Sequence, residues 1–265
     1  MKLTVSMVVI GACLFLTVPV ARAAADRLTD KEVKAVIEQV YEARDKFEGR
    51  LDGKVKNAVV RSSTGEVRVE VALEDFQKEV ERLRDRYTDS YSASAEVHAV
   101  LVRGNAIDRM MKSQPSDIKG ANDWDQLAKQ LRALAGAYRT TFPLPDGAPV
   151  RRINDAEAAA STGTLIAQAE QLKRVVNSDN TLAKADKESV KSDVDAVIKQ
   201  ARALQSRLKD SKPATADARA LLEKIGALTK EGRKLPPTVL TGIGGLRAPL
   251  ATINQAFGMG GAETH

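Results

Sequence analysis

Apolar residues recur at helical spacing along most of this chain. The most regular run lies between Asn122 and Tyr138, where Trp124, Leu127, Leu131, Leu134 and Tyr138 are spaced three, four, three and four. That spacing keeps all five on one face of an α-helix, as a narrow seam that packs against neighbouring helices. Asn122 is placed to cap the first turn, and Asp123 and Asp125 suit the positive end of the helix dipole. The seam predicts a core helix with the chain's single tryptophan at its start.

The same period governs the segments before it. Thr29 and Glu32 read as a capping box, followed by a stripe of Val33, Val36, Ile37, Val40, Tyr41, Phe47, Leu51, Val55 and Val59. Continuous to Val60, that helix would be about 45 Å long at 1.5 Å per residue. Gly49 and Gly53 weaken it, so a break is expected near Asp52-Gly53. Val67, Val69, Val71 and Leu73 alternate with polar residues, a strand signal. With no third strand to join, the stretch is read as a loop feeding a helix. Leu73, Phe76, Val80, Leu83 and Tyr87 form the next seam. A further helix is expected from Ser92 to about Ser113, stopped by Gln114-Pro115-Ser116.

Pro143, Pro145, Gly147 and Pro149 then interrupt the pattern and mark the best candidate boundary. Beyond it, Asn154 with Glu157 caps a helix rich in alanine. Val190, Val194, Val197, Ala201, Leu204 and Leu208 make a heptad-like, coiled-coil type helix, and Pro213 suits the first turn of another carrying Leu221, Leu222, Ile225 and Leu228. Glu170 with Arg174, and Asp195 with Lys199, have the favourable i,i+4 order for surface pairs. No strict repeat is expected between the halves. The expected fold is therefore all-α: antiparallel helical bundles of about seven helices with a Gly/Pro-rich C-terminal tail. Residues 1–23 are a signal peptide, 24–142 an N-terminal four-helix bundle, 143–153 a linker, 154–234 a three-helix segment and 235–265 a flexible tail.

The leader adds a compartment. Leu3 to Val20 is almost wholly apolar after Lys2, and Ala21-Arg22-Ala23 is a small-x-small site, so cleavage is expected before Ala24. Export to the periplasm or beyond follows. A membrane anchor and a lipoprotein acylated at Cys13 are the competing readings. Cys13 is the only cysteine, so the mature chain has none for disulfides, thiolate metal sites or thiol nucleophiles. Removing Lys2 and Arg22 leaves 39 basic against 35 acidic residues, too even a balance for nucleic acid binding.

Candidate chemistry is sparse. The two histidines, His98 and His265, offer no Glu-x-x-His pair. A non-covalent haem could use His98 with Met110 or Met111, in a pocket near Trp124, and core methionines explain the same residues. No serine sits in a Gly-x-Ser-x-Gly elbow. Asp123 and Asp125 are explained by their place in a first helical turn. No enzyme activity, metal or cofactor is expected.

The tail from Leu235 is poor in charge. Leu250, Ile253 and Phe257 lie at i, i+3 and i+7, with Pro249 early and Gly258 at the end of a short helix. Such a helix is too short to persist alone in water. It is expected to be disordered unless docked on its own bundle, on a partner or on a lipid surface.

Three stretches carry a resemblance: Leu51-Asp52-Gly53-Lys54-Val55-Lys56, Ser92-Ala93-Ser94-Ala95-Glu96-Val97, and Asp123-Trp124 leading to Leu131, Leu134, Ala135 and Tyr138. They resemble a group of exported bacterial helical-bundle proteins without an assigned activity, over roughly residues 27–142. The resemblance implies a bacterial cell-envelope protein and carries over no catalytic residue. Three functions stay open: a non-enzymatic bundle acting through contacts with a protein partner, a haem- or small-ligand-binding bundle, and a membrane-surface protein docking through its tail. Partner identity and oligomeric state are not legible.

Overall fold

A computed structural model describes residues 27–62, 65–115, 117–229 and 235–259. The leader with its cleavage site, Cys13 and His265 lie outside the described residues. The elements in order are α1 (Asp30–Arg50), α2 (Gly53–Lys56), β1 (Val59–Ser62), β2 (Gly65–Arg68), α3 (Val69–Arg86), α4 (Ser94–Lys112), α5 (Ala121–Ala137), α6 (Asp155–Ser178), α7 (Lys184–Lys209), α8 (Thr215–Leu228), α9 (Pro237–Gly245) and α10 (Arg247–Phe257). The protein is an all-α assembly of packed helices with one small hairpin.

Two apolar cores form. One runs from Val33 to Leu144, the other from Ile153 to Phe257. In the first half α1 packs on α3 and α5, and α4 packs on the same two helices. In the second half α6 packs on α7 and α10, and α8 packs on those two. Each half thus carries four packed helices, α1, α3, α4 and α5 answered by α6, α7, α8 and α10, and in the second half α9 lies against α6 as a fifth. The second bundle takes its fourth helix from the stretch expected to be a flexible tail. Proline at the first position of α9 and the left-handed Gly258 after α10 (φ 70°) bound ordinary helices there, and Val239, Leu246, Ile253 and Phe257 bury their side chains.

The buried positions of the two halves run in register. On α1, Asp30, Val33, Ile37, Val40, Arg44 and Phe47 are buried; on α6 their counterparts are Asp155, Ala158, Thr162, Leu165, Ala169 and Leu172. Val69, Leu73, Phe76, Val80 and Leu83 of α3 correspond in the same way to Val190, Val194, Val197, Ala201 and Leu204 of α7. Trp124, Leu127, Leu131 and Leu134 of α5 correspond to Leu246, Pro249, Ile253 and Ala256. The halves therefore share one spacing of buried positions without a strict sequence repeat. The clearest matching text is Arg27-Leu28-Thr29-Asp30-Lys31-Glu32 against Arg152-Ile153-Asn154-Asp155-Ala156-Glu157. A second match is Asp89-Ser90 through Ala93-Ser94-Ala95-Glu96 against Asp210-Ser211 through Ala214-Thr215-Ala216-Asp217. Core identity drifts at fixed spacing because any apolar side chain of suitable volume fills a bundle.

Other local expectations are refined. α1 ends at Arg50, beside the foreseen break, and Asp52 caps the single turn α2. The alternating stretch is partly strand: β1 pairs antiparallel with β2, Val59 opposite Arg68 and Ser62 opposite Gly65. Val69 already begins α3, so Val69 and Leu73 are buried at helical spacing and Val71 is exposed. The Val69 amide donates to Ala58 O at 2.9 Å, which ties the hairpin's base to the helix. At α5 the cap is Gly120, at φ 96°, with no side-chain bond from Asn122. Gly120 lies so close to Leu51 that an added Cβ would come within 3.0 Å of its Cα.

Candidate functional site

The strongest concentration of buried polar groups lies where the halves meet. α1 and α6 point their N-termini at each other, and each brings an aspartate in its first turn. The Asp30 amide donates to Asp155 Oδ2 at 2.8 Å, and the Asp155 amide donates to Asp30 Oδ2 at 2.6 Å. Each carboxylate therefore takes an orphan N–H of the other helix and sits between two positive dipole ends. Thr29 and Asn154 cap their own helices by accepting from Glu32 N and Glu157 N, as the sequence foretold.

Two arginines complete the arrangement crosswise. Arg152 Nη2 donates to Asp30 Oδ1 and to Leu28 O, both at 2.7 Å. Arg27 pairs with Asp155 and donates to Ile153 O at 2.7 Å. The Arg152 amide reaches Ser94 Oγ at 3.4 Å, and the Arg27 amide reaches Thr215 Oγ1 at 3.3 Å. Arg152 Nη1 approaches Ala137 O at the end of α5, and the Arg27 guanidinium lies 5.3 Å over the Phe257 ring at the end of α10. The exchanged amide–carboxylate bonds, the two arginine–aspartate pairs, the two arginine–carbonyl bonds and the two amide–hydroxyl contacts each have a counterpart under exchange of the halves, while the contacts to Ala137 and Phe257 differ in kind. Burial, reinforced by the Arg152 charge, pulls Arg27 below the usual guanidinium range. Tyr87 donates to Asp30 O at 3.2 Å, and burial, then the Asp30 charge, push its hydroxyl up. Tyr138 donates to Ser92 O and is raised chiefly by burial. Sequence reading missed this clamp. Its signal was present in the Arg-x-x-Asp-x-Glu text, once before each N-terminal helix.

The predicted seam residues Trp124, Leu127, Leu131, Leu134 and Tyr138 are all buried, with Trp124 tilted between Phe47 and Phe142 at 5.3 and 6.4 Å. Of the tail residues, Ile253 and Phe257 are buried in the second core and Leu250 is partly buried against it, so all three face their own bundle. A cavity of about 300 Å³ opens beside Trp124, lined also by Met111, Ile118, Asp108, Lys112 and Arg132. His98 does not line it. It is exposed near the start of α4, roughly 20 Å of helix from Met111 and Lys112 at 1.5 Å per residue, so His98 and Trp124 do not share a pocket.

Other acidic groups are held in pairs. Buried Glu96 pairs with Arg86 at 3.0 Å and its half-buried counterpart Asp217 with Arg207 at 2.7 Å; buried Asp108 pairs with Lys112 at 2.6 Å. Among the described residues no group of three or more His, Cys, Asp or Glu side chains is placed to hold a metal ion, and no helix is long and apolar enough to cross a membrane. A scan against protein-family models, a search of curated proteins and a search of solved structures each found no match.

Proposed function

We propose that this is a non-enzymatic cell-envelope protein that acts through protein–protein contacts, presenting two helical bundles in a fixed relation. The observation that supports it is the clamp. Its buried arginines and aspartates are spent on one another and on helix ends, which suits holding two bodies together rather than turning over a substrate. The outer faces of both bundles are left for a partner, with Val102 and Leu240 among their exposed apolar side chains. Export rests on the leader and on the resemblance of the first half to exported bundles. Photo-cross-linkers at Val102 and Leu240 in cells test the reading. A discrete protein adduct from either position is the expected result. Uncross-linked protein that co-purifies with a bound small molecule overturns it.

The cavity beside Trp124 favours a second reading, a small-ligand-binding bundle. Its apolar wall of Met111, Ile118 and Trp124 meets Lys112 and Arg132 at 300 Å³, the low end of ligand-pocket size. Because Trp124 is the only tryptophan, its fluorescence reports any occupant directly.

A further inference from the structure

The clamp is self-complementary. Each half offers the same set: an arginine that reaches across, an aspartate that accepts it, a hydroxyl that takes the arginine's amide, and the end of the bundle's last helix. Ser94 and Thr215 fill the third role, and Ala137 and Phe257 lie at the fourth. An interface in which residue i meets j and j meets i is the geometry of a two-fold dimer. Here the two copies are joined in one chain.

The joining segment permits exchange. After Tyr138 only the Arg139 side chain touches the second half, beside Gly258, while Phe142 and Leu144 enter the first core and Asn105 holds the backbone of Leu144 with bonds of 2.7 and 2.8 Å. From Pro145 to Pro149 it makes a turn, with Gly147 at φ 69° and the Ala148 amide on Pro145 O. Asp146 and Gly147 are exposed. Opening that turn would redirect the whole second half while leaving both cores and the contacts of Phe142 and Leu144 in place.

We propose that the two halves are copies of one four-helix unit, and that the clamp face of each half accepts the opposite half of a second copy of this chain, closing two clamps in trans. The occupant is a second copy because both arginines and the amides of Asp30 and Asp155 find their acceptors on the other half. Closure in cis competes through its high effective concentration, so trans closure prevails where cis closure is impaired or the chain is concentrated.

The test uses two full chains beginning at Ala24. One carries Arg27→Ala with Asp30→Ala, the other Arg152→Ala with Asp155→Ala. Alone, each leaves a clamp whose remaining arginine and aspartate have lost their partners on the other half. Mixed and refolded together, they can form one native clamp and one with all four charges removed, which is far less costly than a half-empty one. The expected result is a heterodimer at twice the chain mass by native mass spectrometry, with a melting temperature above that of either variant. Two helical monomers in the mixture, with unchanged melting, overturn the proposal. A chain lacking Asp146, Gly147 and Ala148 covers the case in which either variant fails to fold. Shortening the turn blocks cis closure, so this chain should be a dimer; a helical monomer refutes trans closure.

Discussion

The two bundles reach similar burial by different means. In the first, large aromatic side chains fill the core: Phe47 on α1, Phe76 on α3 and Trp124 on α5. Their counterparts in the second are Leu172, Val197 and Leu246. The difference is not made up in length: α6 and α7 have 24 and 26 residues against 21 and 18 for α1 and α3, but α8 and α10 have 14 and 11 against 19 and 17 for α4 and α5. Where the first half inserts α2 and the hairpin, the second lengthens α6 and α7. One spacing of buried positions therefore accepts aromatic or aliphatic side chains, since burial counts apolar area and not residue identity. The polar clamp is not exchangeable in this way, because its bonds depend on particular atoms at particular places.

Truncating the largest member of each pair sharpens the comparison. Trp124→Ala should cost about 3–5 kcal/mol and Leu246→Ala about 2–5 kcal/mol, since both leave cavities in closed cores. Urea denaturation of each variant measures this. A loss near zero for Leu246 would mean that the junction of α9 and α10 adds little to the second core. The clamp should respond nearly as strongly and, unlike the cores, symmetrically. Arg152→Ala and Arg27→Ala each leave a buried aspartate unpaired, at about 3–5 kcal/mol. Removing Asp30 together with Arg152 should recover part of that cost in a double-mutant cycle. Additive losses would show that the pair does not act as a unit.

A third contrast is chemical. Tyr87 of the first half corresponds to Leu208 of the second, and both Tyr87 and Tyr138 lie near the clamp with raised hydroxyls, caused chiefly by burial. A raised value favours the neutral form in the folded state. The stabilisation is therefore intact below the ordinary tyrosine value of about 10 and is lost as pH rises from there toward the folded values. Alkali should loosen the first half before the second. Tyr87→Phe and Tyr138→Phe should each flatten the fall in urea midpoint between about pH 9.5 and 11. An unchanged slope in both would place the alkaline transition elsewhere.

Much of this architecture was legible in the sequence. The Trp124 seam, the Thr29 and Asn154 caps and the break at Asp52-Gly53 follow from period and capping chemistry, which are local signals. The tail's docking was left open among its own bundle, a partner and a lipid surface because glycine and proline raise the cost of ordering a segment, while the offsetting term is burial of Val239, Ile253 and Phe257 against distant helices. The clamp was missed for a related reason. Arg27 and Asp155 are 128 residues apart, and nothing within either segment says that two helix N-termini will meet. Only comparison of the two short texts with each other would have exposed the pairing.

The smallest effect separates local from tertiary reasoning most cleanly. On sequence spacing, Glu170 and Asp195 should pair along their own helices with Arg174 and Lys199. In the fold both reach across the α6–α7 contact instead: Glu170 to Arg202 at 2.7 Å and Asp195 to Lys173 at 2.5 Å, while Arg174 turns to Gln171. Two long, parallel-lying helices hold those side chains over one another continuously, whereas an i,i+4 pair must hold its own rotamers. All four partners are at least one-third exposed, so each bridge is worth only about 0.2–1 kcal/mol and weakens with salt. Lys173→Ala and Arg202→Ala should therefore lower stability by a few tenths of a kcal/mol at low ionic strength, and the difference should vanish near 1 M salt. Arg174→Ala and Lys199→Ala should be neutral at both. Measured losses for Arg174 and Lys199 that match those for Lys173 and Arg202 would mean that the acids divide their time between local and cross-helix partners, and that the α6–α7 surface is less ordered than the core beneath it.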